Sequence, residues 1–146
     1  LPMDEPKEIS ELNTFSKALN AKVLEVYKGI DDFMVVLEDE AAVANNNPNF
    51  NSIKSMDSRG LIITAKGEEV DFVSRWYGPQ TGINEDPATG SAHSLLATYW
   101  SKILNKPQMS ARQLSKRVGN LKCEVKDDLV EITGEAKLYL KGNIQV

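Results

Sequence analysis

Two spacings of apolar residues alternate along the chain, and each change of period marks an element. Ile9, Leu12, Phe15, Ser16 and Leu19 recur at helical spacing behind Pro6, a residue suited to a first turn, and predict a helix over Pro6 to Leu19. Val23 to Tyr27 and Phe33 to Leu37 are short β-rich runs split by Lys28-Gly29-Ile30-Asp31-Asp32, a hairpin signal with a longer loop. Asp39 to Asn47 reads as a helical turn running into a loop, and Phe50 to Met56 as a short helix. Gly60 to Ala65 and Val70 to Trp76 are expected strands, joined by Lys66-Gly67-Glu68-Glu69. From Thr89 to Leu104 the apolar residues Ala92, Leu95, Leu96, Ala97, Tyr99, Trp100, Ile103 and Leu104 lie nearly all round a helix, which predicts burial on most sides. Four β-like segments follow, at Gln108 to Leu114, Gly119 to Val125, Leu129 to Ile132 and Ala136 to Leu140. They stand too close together for crossover helices between them. The expected fold class is therefore α+β, with a mixed or antiparallel sheet curled round one long central helix.

The totals narrow the function classes. A chain of 146 residues is most simply one domain, 1–146. A net charge of -4 with no basic block argues against nucleic acid or a phospholipid surface as partner. No apolar run reaches the roughly 18 residues of a membrane span. The single cysteine, Cys123, excludes an internal disulfide and fits a reducing, cytoplasmic compartment. No Cys/His cluster suggests a metal, and neither a dinucleotide nor a phosphate-loop glycine motif is present, so no cofactor is expected. The start, Leu1-Pro2-Met3, is neither a signal peptide nor a methionine start, which suggests a fragment or a processed product.

Candidate chemistry concentrates in Gly82-Ile83-Asn84-Glu85-Asp86-Pro87-Ala88-Thr89-Gly90-Ser91-Ala92-His93, directly ahead of the long apolar helix. A helix N-terminus offers unpaired N–H groups and the positive end of a dipole. Small residues at Ala88, Gly90, Ser91 and Ala92 let an anion come close to those groups. Asp86 reads two ways, as an acid/base or orienting carboxylate and as a helix cap. Glu85 is either a second site carboxylate or a solvated one. Ser91 lacks a His–Asp pair to activate it, so it reads as a hydroxyl donor rather than a nucleophile. His93, the only histidine, falls inside the helix and points roughly opposite to Ser91, the reading of a packed residue. Arg75, Trp76 and Tyr77 precede the loop and line either a cleft or the core.

Asp71-Phe72-Val73-Ser74-Arg75-Trp76-Tyr77-Gly78-Pro79, the Glu85-Asp86-Pro87-Ala88-Thr89-Gly90-Ser91-Ala92 run and Ala111-Arg112-Gln113-Leu114-Ser115-Lys116-Arg117-Val118-Gly119 together resemble the second half of the phenazine-biosynthesis PhzF-like family. The resemblance runs from about Ala21 to Val146. It implies one half of a diaminopimelate epimerase-like fold, in which two similar halves face each other across a cleft. It also implies isomerisation of a small carboxylate-bearing metabolite by moving a proton, without metal or organic cofactor. By this resemblance Asp86 and Ser91 are catalytic. Gly90, Ser91 and Ala92 hold a substrate carboxylate through backbone N–H groups, with Glu85 beside them. The family's principal acid/base glutamate and an assisting histidine belong to the other half, which has no counterpart here. The expected partner is therefore a missing N-terminal half or a second copy of the chain. The alternative is a non-catalytic binding or structural module, possible as a two-fold dimer. A hydrolytic or racemising chemistry on the same scaffold is a third reading. One departure stands out: Arg117-Val118-Gly119 replaces the family's usual Arg-Gly-Gly and puts a β-branched residue in that loop.

Overall fold

The computed structural model describes residues 1–144. Along the chain come β1 (Lys7–Glu8), α1 (Leu12–Leu19), β2 (Val23–Lys28), β3 (Asp32–Leu37), α2 (Glu40–Ala44), α3 (Phe50–Lys54), β4 (Gly60–Lys66) and β5 (Phe72–Gly78). A 3-10 turn at Pro79–Thr81 leads to β6 (Ile83–Glu85), α4 (Ala92–Leu104), β7 (Gln108–Gln113), β8 (Gly119–Lys126) and β9 (Leu129–Gly134). The nine strands form one sheet in the order β1-β2-β3-β4-β5-β7-β8-β9, with β6 also paired to β5.

Two strand pairs are parallel, β3 with β4 and β5 with β7, and the rest are antiparallel. A parallel pair needs a crossover connection. The first crossover carries α2 and α3; the second carries β6 and α4. They lie on opposite faces of the sheet, as the alternation along β4 shows. Leu61, Ile63 and Ala65 join Phe15, Leu19, Val43 and Ile53 beneath α1 to α3, while Ile62 joins Leu95, Leu96 and Trp100 of α4. The run Leu61-Ile62-Ile63 is continuous because both faces of β4 are covered. Strands β7 to β9 bury one face only, through Met109, Ala111, Cys123 and Val130 against α4. Their other face is polar, with Gln108, Lys122 and Glu131 exposed. Each fully buried leucine of α4 contributes roughly 1.5–3 kcal/mol. Trp100 adds a specific tie: its indole stacks on Phe72 at 5.9 Å and its Nε1–H donates to Thr64 Oγ1 at 2.9 Å.

Three sequence expectations are corrected. The fold is α+β with a mixed sheet, but it is not built on one long helix; there are four among the described residues, and α1 to α3 cover the face that α4 does not. Their sequences are short, and side-chain caps start two of them: Asp39 accepts from Ala42 N–H and Asn49 from Ser52 N–H. The first helix begins at Leu12, not Pro6, because Lys7 and Glu8 are drawn into the sheet against Lys28 and Tyr27. Ala136 to Leu140 forms no strand. Leu138 and Tyr139 are 80% and 99% exposed, and no strand lies alongside to accept their backbone hydrogen bonds. Among the described residues, no helix is long and apolar enough to cross a membrane.

Candidate active site

The first turn of α4 begins the site. Its helical hydrogen bonds start with His93 N–H to Gly90 O at 3.0 Å and Ser94 N–H to Ser91 O at 3.2 Å. Among the described residues the N–H groups of Gly90, Ser91 and Ala92 meet no protein acceptor. Ser91 occupies the capping position without capping: its backbone is already helical (φ -63, ψ -32), and its side chain makes no bond to the helix amides. Gly90 and Ser91 are exposed and Ala92 is buried. A partly positive, amide-lined end is thus left accessible to an anion.

Residues 86 to 89 lead into this turn, and the Arg112-to-Ser115 segment holds them in place. Buried Gln113 reads the loop with both ends of its amide: Oε1 accepts from Thr89 N–H at 2.8 Å and Nε2 donates to Asp86 O at 2.8 Å. Ser115 Oγ donates to Pro87 O at 2.8 Å. The parallel pairing of β7 with β5 makes this reach possible, because it ends with Gln113 beside Ser74, two residues before Trp76, whose carbonyl accepts the Asp86 N–H. The two sequence motifs are therefore one structural unit. Gly119 completes it by close approach, since a Cβ there would stand 2.9 Å from Ala88 Cβ. The departure at Val118 leaves the loop intact but strained: its φ of 45° lies in the left-handed region, costly for a β-branched side chain.

Asp86 does not cap α4, which starts six residues later. Its Oδ2 accepts the Thr89 hydroxyl at 2.5 Å, and Oδ1 has no protein partner among the described residues. Glu85 goes elsewhere. Both of its carboxylate oxygens receive the Arg75 guanidinium, at 2.7 and 3.0 Å, in a bidentate pair that also raises the arginine pKa. Arg75 in turn holds Asn46 O at 2.8 Å, on the face of α1 to α3. Tyr77 is on that face too, fully buried with its hydroxyl on Asn46 Oδ1. Trp76, between them, points to the α4 side. Neighbouring carboxylates thus have different work: Glu85 anchors β6, and Asp86 stands in the loop before α4.

His93 is fully buried. Its Nδ1 lies 2.8 Å from Thr89 O, which sets the proton on that nitrogen, and Nε2 has no partner among the described residues. Burial pushes its pKa below the ordinary 6.5, which favours the neutral ring. Cys123 is buried under α4, and its thiol is pushed up to about 12 by burial, which leaves it unreactive. Among the described residues no group of three or more His, Cys, Asp or Glu side chains is placed to hold a metal.

One residue at the site carries no signal in the sequence pattern. Arg59, just before β4, donates from Nη1 to Ser91 Oγ at 2.8 Å and grips Asp32 with Nε and Nη2. A lone arginine ahead of an apolar strand has no periodicity to reveal it; only the 59–60 Arg-Gly pair, with glycine flush against Trp76, hints at close packing there.

With this geometry in view, likeness to known proteins is informative. The family model described as "Phenazine biosynthesis-like protein" matches residues 3–142. An uncharacterised isomerase of Pseudomonas aeruginosa is 41% identical over 99% of this chain and 56% of its own length. A solved putative PhzC/PhzF phenazine-biosynthesis protein of Clostridium difficile is 39% identical, with a TM-score of 0.89 over 100% of this chain and 56% of that one. A PhzF-family structure from Enterococcus faecalis is 43% identical, with a TM-score of 0.83 over 94% of this chain and 56% of that one. The chain thus spans little more than half the length of these relatives.

Proposed function

The chain belongs to the phenazine biosynthesis-like (PhzF) family, and on that premise we propose that it is the C-terminal half of an isomerase that moves a proton on a small carboxylate-bearing metabolite. The open N–H groups of Gly90, Ser91 and Ala92 bind the carboxylate, where helix-end amides and dipole favour negative charge. The Ser91 hydroxyl donates a further hydrogen bond. Asp86 orients the substrate and relays its proton, with Thr89 fixing one carboxylate oxygen and leaving the other to act. The principal base comes from the part of the protein outside these residues. Proton transfer of this kind uses no metal and no organic cofactor in this reading. Glu85, committed to Arg75, supports the loop rather than the substrate.

The observation that carries the reading is that one side chain, Gln113, holds both ends of the Asp86-to-Thr89 loop ahead of the amide-lined helix start, while the Thr89 hydroxyl holds the Asp86 carboxylate. A carboxylate held by Thr89 on a fixed loop, beside an anion site, is what acid/base catalysis needs. The test is deuterium exchange. The protein at the length of its relatives is incubated in D2O with a panel of small cyclic and hydroxylated carboxylates, and label is read by mass spectrometry. Exchange by the long protein and none by residues 1–146 alone is the expected result. Exchange at equal rates by both would overturn the division of labour, and no exchange by the long protein on any carboxylate would overturn the isomerase reading.

A further inference from the structure

We infer that Arg59 is a positioning residue of this site, holding the Ser91 hydroxyl in one orientation, ready to donate to a bound carboxylate. The inference rests on the carboxylate-binding reading above and extends it to a residue outside both motifs.

Serine at the start of a helix ordinarily turns its oxygen back onto the second or third amide of the first turn. Ser91 does not, because its backbone is already helical (φ -63, ψ -32) where a capping serine's is extended. Its oxygen is instead the acceptor of Arg59 Nη1–H at 2.8 Å. An oxygen engaged that way keeps its own hydrogen to give, and the hydroxyl rotor loses its freedom.

The direction of Nη1 is itself fixed. Nε lies 3.1 Å from Asp32 Oδ1 and Nη2 bonds Oδ2, so the carboxylate of Asp32 sets the plane of the guanidinium. Asp32 is 3% exposed at the start of β3 and has little room to move. The Arg59 backbone is tied to the same turn through its N–H on Asp31 O at 2.8 Å. Beneath the guanidinium lies the Trp76 ring, 5.6 Å away. The ring packs flush on Gly60, where a Cβ would stand 2.4 Å from an indole carbon. Asp32, Asp31 and Asp4 all favour the charged guanidinium. A lysine could supply the charge but not the fork that grips Asp32 and reaches Ser91 together.

The test is a titration of the ¹⁵N-labelled chain with benzoate as a plain carboxylate probe, read at the Gly90, Ser91 and Ala92 amides. Wild type is expected to give saturable shifts. Arg59→Gln should weaken benzoate by roughly fivefold or more, a change of about 1 kcal/mol at RT near 0.59 kcal/mol. Ser91→Ala should weaken it as well, and the Arg59→Gln/Ser91→Ala double variant should bind no worse than Ser91→Ala alone. That coupling is a readout a purely structural arginine would not move. Additive losses would overturn the inference, as would wild-type binding by a folded Arg59→Gln. Should Arg59→Gln not fold, Asp32→Asn, which keeps the guanidinium and loosens its grip, replaces it with the same expectations. No amide shift in wild type would instead overturn the carboxylate site itself.

Discussion

The two ends of α4 are finished differently. At the C-terminal end, Asn105 takes the left-handed conformation (φ 52) and gives its N–H to Ser101 O, and Lys106 N–H follows onto the same carbonyl. Lys102 lies in the last turn and pairs with Glu5, while Lys106 pairs with Asp71. A left-handed cap and a last-turn cation both stabilise the terminus there. At the N-terminal end no acidic residue stands in the first turn, the serine does not cap, and three amides are unmatched. Yet the surrounding loop is pinned more heavily than the other end, by Gln113, Ser115, Thr89 and Arg59. Capping omitted while its surroundings are fixed supports the proposal that this end is kept open for a ligand rather than left loose.

The largest expected difference between the ends is in turnover. In the protein at the length of its relatives, Asp86→Asn should slow deuterium exchange by about 10²- to 10⁴-fold, the usual contribution of a positioned acid or base. Asn105→Ala should leave the exchange rate per folded molecule unchanged. Equal effects at both ends would mean that neither is a site. Next comes Gln113→Ala. It removes one buried side chain that serves Thr89 and Asp86 together, and should cost about 1–3 kcal/mol in urea unfolding, since the loop amide and carbonyl lose their partner. It should also broaden the Gly90 to Ala92 amide resonances. A loss of stability with those resonances unchanged would show that Gln113 serves the core alone.

The contrast also shows which features a sequence displays. α4 was legible because apolar residues surround it, and the loop before it because small residues and carboxylates cluster in one stretch. Gln113 and Ser115 were legible as a motif but not as a clamp, since nothing in one dimension says that β7 pairs in parallel with β5. Arg59 was not legible at all: its partners are 27 and 32 residues away and share no pattern with it. Glu85 reads from the sequence as either a site carboxylate or a solvated one, because it is next to Asp86. In the folded chain β6 presents it to Arg75, a partner that sequence proximity does not reveal. Ala136 to Leu140 alternates like a strand, and alternation states only what a segment could pair as, not whether a partner is alongside.

pH probes the open end through His93. Its folded pKa is lowered by burial, so below 6.5 the unfolded chain binds a proton that the folded chain refuses. Stability is therefore full above pH 6.5 and falls as pH drops below it, by at most about 1.4 kcal/mol per pH unit for one group. Thermal unfolding above the carboxylate range should show that slope in wild type. His93→Asn, whose side-chain N–H can still reach Thr89 O, should lower the melting temperature overall and flatten the slope. An unchanged slope would assign the acid sensitivity to other groups.

The smallest effects compare two left-handed residues, one near each end. Val118 at φ 45 and Asn105 at φ 52 occupy the same region of backbone space at unequal cost. Asparagine tolerates that region; a β-branched residue is a genuine outlier in it. Changing Val118 to glycine relieves a conformational cost of about 1–2 kcal/mol. It also adds freedom to the unfolded chain, which offsets roughly 0.5–1 kcal/mol of the relief. Val118 is half-exposed, so little packing is lost with the side chain. The net expectation is stabilisation by about 0.5–1 kcal/mol for Val118→Gly, read as a rise in the urea midpoint without a change in slope. For Asn105→Gly the relief is smaller and the midpoint should barely move. If Val118→Gly destabilises instead, the loop over Ala88 needs the stiffness of a β-branched residue, and the strain at this end is part of how the Asp86 to Ser91 segment is held.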